Sequence, residues 1–86
     1  MKHPNICGQV FLEQQGKLFQ EPVASNLTEA IEFLEEVWAQ ELDHIDEVRE
    51  FLEEEGMDTA GLSDEDLEKE LEVFKLPNGG YLVVEA

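Results

Sequence analysis

Positive charge is what this chain lacks most. Four lysines and one arginine stand against 22 acidic residues among 86, for a formal charge of −17 at pH 7. Phosphates would be repelled, which argues against direct binding to nucleic acid or to an anionic membrane. Cysteine is nearly absent as well. Cys7 alone cannot form an internal disulfide, and no apolar run behind Met1 resembles a secretory signal. No stretch approaches the length of a membrane span. These absences together lead us to expect a reducing, cytoplasmic setting. Catalytic and cofactor motifs are also missing, so a non-enzymatic protein without a cofactor is expected. The acids of Asp58 to Glu68 lack the Asp/Asn pattern of a calcium loop.

What is present argues for a folded chain. Apolar residues make up 42%, including five Phe, one Trp and one Tyr. A disordered acidic tail would be poorer in these. The length fits one domain spanning residues 1–86 with a modest core, to which a homodimer interface would add burial.

Along the chain, β-favouring runs on either side of Gln15-Gly16 predict a hairpin over residues 9–21, with Pro22 ending it. Asn26 is placed to cap a helix starting at Leu27, with Glu29 as capping-box partner. From Leu27 to Glu55 there is no Gly or Pro. Leu27, Ile31, Leu34, Trp38, Leu42, Ile45, Val48 and Leu52 make one apolar stripe. That spacing favours a single helix of roughly 40 Å, stopped by Gly56. A second N-cap signature at Asp43-His44-Ile45-Asp46 offers the alternative of a break near Leu42. Ser63 then opens a short helix, with Asp66 as its partner. Asn78-Gly79 predicts a type I′ hairpin pairing Leu76 with Tyr81 and Phe74 with Val83. The expected fold is α+β: two β-hairpins forming a small antiparallel sheet on one long and one short helix.

About half of the acidic residues lie between Glu29 and Glu55. Glu32, Glu35, Glu36, Asp43, Asp46, Glu47, Glu50, Glu53 and Glu54 fall mainly at three-, four- and seven-residue steps, opposite the apolar stripe. Neighbours in such a row are separated by roughly 5–6 Å, a spacing suited to imitating successive phosphates. Like charges at that spacing destabilise a helix, and an ordinary solvent face would intersperse lysine or arginine. General halophilic solvation would not need this concentration of acid, mostly Glu, in one segment. Two readings of the face stand side by side: a solvated surface, or a contact surface for a basic, nucleic-acid-binding protein. In composition alone the chain is similar to small acidic inhibitors of phages and mobile elements, such as anti-CRISPR and anti-restriction proteins. The competing expectation is an assembly subunit that binds a partner or itself through the apolar stripe, with Trp38 and Phe51 in contact. Glu41-Leu42-Asp43-His44 also matches half of a carboxylate di-iron motif, which would need a second copy from a dimer. His3 and Cys7 supply only two ligands and do not make a zinc site.

Overall fold

Tyr81-Leu82-Val83-Val84 is apolar at every position, and all four residues are buried. A computed structural model, describing residues 1–85, places this run at the centre of the molecule. Strand β3 (Tyr81–Val83) is flanked by β1 (Gln40–Leu42) and β2 (Val73–Lys75), both antiparallel to it. Helices cover both faces of the sheet, so β3 needs apolar side chains on both. Phe74, Leu76, Leu82 and Val84 pack with α1 (Pro4–Gln14) and α2 (Leu27–Glu36). Val73, Tyr81 and Val83 pack with α3 (Ile45–Glu54) and α4 (Asp64–Glu68). The α+β class and the antiparallel sheet are as expected. Its parts differ in three places.

The first is residues 9–21, which form no hairpin. Pro4 sits in the first turn of α1, where its missing N–H costs nothing. Cys7, Val10 and Phe11 recur at helical spacing and are buried, so burial overrides the β preference of Val10 and Phe11. Gly8 allows α2 to come close: a Cβ there would lie 2.7 Å from Ile31 Cγ1 and 2.9 Å from Leu27 Cδ1. Gln15 opens a 3₁₀ turn (Gln15–Lys17) rather than a hairpin turn. Its buried amide accepts from the N–H groups of Val23 and Ala24 and donates to the carbonyls of Leu12 and Ala24, which fastens the following loop.

The second is the long helix. The molecule's longest extent is 36 Å, less than the roughly 40 Å that a helix from Leu27 to Glu55 would need. The segment breaks into α2 and α3 with β1 between them, as the alternative reading at Leu42 allowed. The Asn26 side-chain cap forms as expected, with the Glu29 N–H donating to Asn26 Oδ1 at 2.9 Å. The Glu29 carboxylate accepts from the Ser25 N–H at 2.7 Å rather than closing the expected capping box on Asn26. Glu47 starts α3 by accepting from the backbone N–H of His44 at 3.1 Å. The break lies at Trp38, whose φ of 58° is left-handed.

The third is the register of the C-terminal hairpin. Phe74 opposes Leu82, and Lys75 opposes Tyr81, a slip of one residue from expectation. The Gly79 N–H donates to the Leu76 carbonyl, so Pro77 and Asn78 are the central residues of the turn. Proline suits the first of these positions. Gly79, at φ 89°, then supplies the left-handed residue of a three-residue loop. The slip divides the strands' side chains between two covered faces.

Candidate functional site

All nine acids of the expected contact surface are exposed. They do not share one helix face. Glu32, Glu35 and Glu36 stand on α2, which covers one side of the sheet. Asp46, Glu47, Glu50, Glu53 and Glu54 stand on α3, which covers the other. Asp43 lies in the connection before α3. The continuous row is therefore two shorter rows, because the chain leaves the helix at Trp38 and crosses the sheet edge as β1.

Three of the nine have work inside the chain. Lys2 Nζ lies 2.9 Å from Asp43 Oδ2. Glu47 caps α3, and Glu53 accepts from the buried Thr59 hydroxyl. Glu32, Glu35, Glu36, Asp46, Glu50 and Glu54 make no side-chain hydrogen bond or ion pair among the described residues.

Four of the five cations are used internally, and Lys69 is exposed. Arg49 donates to the carbonyls of Thr59 at 2.7 Å and Leu62 at 2.9 Å, and meets Asp64 at 3.3 Å. It clamps the α3–α4 connection. Lys17 donates to the Val73 carbonyl and sits 5.0 Å from the centre of the Phe74 ring. Its burial pushes its pKa down, against the opposing charge of Glu70. Lys75 approaches Glu68 at 3.8 Å. Basic side chains thus act as struts, while acid is left facing outward.

A second cluster was not legible in the sequence. Glu41 on β1 points to the α1 side of the sheet, as its pairing partner Leu82 does. Its carboxylate accepts from the His3 backbone N–H at 2.7 Å and lies 2.6 Å from His3 Nδ1. The Cys7 thiol donates to it at 3.5 Å. Burial alone would raise the Glu41 carboxyl. The bonds from His3 and Cys7 outweigh that and hold it below its ordinary value. Cys7 moves the other way, up to about 12, through burial and then the Glu41 charge.

This is not an activated nucleophile. A catalytic thiol needs a lowered pKa and access, and the carboxylate here faces the thiol directly. The cluster fastens the amino terminus to β1. The Glu41 carboxylate is engaged by His3 and Cys7, so the Glu-x-x-His half-motif of Glu41 and His44 does not have this carboxylate free. Among the described residues no three side chains are arranged to hold a metal ion. Cys7 should accordingly resist a thiol-reactive dye at pH 8 in the folded protein and react promptly in denaturant. Labelling at the same rate in both states would contradict the placement.

Tyr81 shows how the other face is closed. Its hydroxyl donates to Glu68 at 2.7 Å. That bond, with burial and the Glu68 charge, pushes the phenol up to about 12.

The surface charge predicts a pH and salt response. Burial and then the charges of Glu55 and Glu72 push the Glu85 carboxyl up, so its ionised form opposes folding. That penalty is full above its folded pKa and fades as pH falls through it, and general self-repulsion weakens with protonation. The melting temperature should therefore rise from pH 7 to about pH 5. Below the usual carboxylate range the sign reverses. Glu41 contributes stability that is present above its unfolded pKa and lost as pH falls through its lowered folded pKa. Raising NaCl from about 0.01 M to about 0.5 M at pH 7 should also raise the melting temperature, since it screens the repulsion. A melting temperature that is flat across both series would contradict this.

Among the described residues no helix is long and apolar enough to cross a membrane. No family model, curated protein or solved structure matches this chain.

Proposed function

We propose that this chain is a non-enzymatic acidic protein that binds a basic, nucleic-acid-binding protein in the cytoplasm and blocks it by imitating phosphates. One observation carries the reading. Six acids of the expected surface, on α2 and α3, stand exposed without a partner among the described residues, while Lys2, Lys17, Arg49 and Lys75 are tied to the chain's own groups. Folding alone would be better served by placing those cations among the acids. Carboxylates along each helix would enter a Lys/Arg-lined groove that normally follows a phosphate backbone. Steering would make association fast and strongly salt-dependent.

The competing reading, assembly through a continuous apolar stripe, loses most of its stripe. Phe51 is half-buried against the core cluster of Val48, Leu52 and Leu67, and only Trp38 of that pair faces outward. The test is capture from an extract of the native host with immobilised protein, at low and high salt. The expected result is retention of a basic nucleic-acid-binding protein at low salt and its release at high salt. Retention that survives high salt, or of a partner without a basic groove, would overturn the proposal.

A further inference from the structure

Helices α2 and α3 end in the same backbone motif. The Ala39 N–H donates to the Leu34 carbonyl at 3.0 Å, and the Met57 N–H to that of Leu52 at 2.9 Å. One residue earlier, the Trp38 N–H donates to Glu35 at 3.3 Å, and the Gly56 N–H to Glu53 at 3.0 Å. This cap requires a left-handed residue at the earlier position, and glycine is its usual occupant. Helix α3 follows that rule with Gly56, at φ 98°. Helix α2 instead places a tryptophan there, at φ 58°. A bulky side chain is disfavoured in that region. The indole gains little packing in return, for Trp38 is 83% exposed. Strain at an exposed aromatic side chain, where a neighbouring helix shows the relaxed solution, points to a role outside folding.

The surroundings specify what would meet it. Glu35 and Glu36 lie in the last turn of α2, which holds no basic residue. The carbonyl end of the helix adds partial negative charge. A cation is therefore favoured at the indole. A planar guanidinium can stack on the ring while pairing with the carboxylates, which a compact ammonium cannot do.

We propose that Trp38 is an anchor for an arginine side chain of the basic partner, with Glu35 and Glu36 flanking it. This rests on the acidic surface being a contact surface and adds a chemical preference to it: arginine over lysine.

Trp38 is the sole tryptophan, so its emission reports on this position alone. The experiment titrates the protein with labelled nona-arginine and nona-lysine peptides at low salt. Wild type should bind the arginine peptide about threefold to thirtyfold more tightly, with a shift in Trp38 emission. Trp38→Gly should abolish the preference and leave both peptides bound at the lysine level. It should also raise the melting temperature by about 4–8 °C, because the cap relaxes. Equal affinities with unchanged emission would overturn the anchor and leave the electrostatic reading standing. Failure of both peptides to bind would overturn that reading as well. A shift with protein concentration alone would place a second copy on Trp38 and overturn the arginine assignment. A lowered melting temperature for Trp38→Gly would make the residue structural and overturn its role as an anchor.

Discussion

Reversing Glu32, Glu35, Glu36, Glu50 and Glu54 to lysine is expected to weaken binding to the basic partner by at least about a hundredfold at low salt. Each reversal changes the charge by two, so the chain moves from −17 to −7. Attractions to the partner's cations become repulsions at five places. The fold should survive. These side chains are exposed and carry no hydrogen bond among the described residues. Glu36 and Glu54 end their helices, where a cation suits the dipole better than an anion. Relief of repulsion should even raise the melting temperature slightly. Isothermal titration with the captured partner and circular dichroism of the variant separate the two effects. Affinity within threefold of wild type in a folded variant would show that this surface is only solvated.

The second large effect concerns the core that carries the surface. Phe11→Ala should cost about 3–5 kcal/mol in chemical denaturation. Phe11 is fully buried, and its ring meets three others. It stacks on Phe33 at 5.2 Å and meets Phe74 and Phe19 edge-on at 5.8 and 6.2 Å. The cluster joins α1, the loop after it, α2 and β2. Truncation would leave a cavity that three separate elements must collapse to fill. A domain of this size commonly holds only about 5–10 kcal/mol in total, so the variant should lose at least about a third of its stability. Phe11→Leu retains most of the volume and should cost less than half as much. A loss below about 1.5 kcal/mol for Phe11→Ala would mean that the ring cluster is not the centre of the core.

Local chemistry in the sequence foretold the features that depend on nearby residues. Asn26 with Glu29, and Ser63 with Asp66, announce helix starts through side-chain-to-backbone bonds three residues apart, and both form. Pro77-Asn78-Gly79 announces the hairpin. The proline's preference for the first central turn position moved the register by one, since the Asn-Gly signal alone gives the shorter loop. What stayed hidden depends on distant partners or on an unusual residue at a familiar site. Helix α1 is disguised by β-favouring residues whose burial against α2 and β2 decides the outcome. The break at Trp38 is disguised because a glycine motif there uses tryptophan, and the apolar stripe runs unbroken past it. The exposed acids were legible one by one, since they fall off the apolar stripe. Their division between two sides of the sheet followed from the hidden break. The Glu41 cluster joins residues 38 positions apart at its His3 contact. Its single trace in the sequence was a charged residue beside the apolar stripe.

Competition is the most direct test of phosphate imitation. The captured partner's affinity for its own nucleic acid should be measured by fluorescence anisotropy at increasing concentrations of this chain. The account predicts an apparent Kd that rises in proportion to the added protein, without limit, and no rise with the five-lysine variant. A Kd that stays constant, or a ternary complex of partner, nucleic acid and this chain, would contradict it.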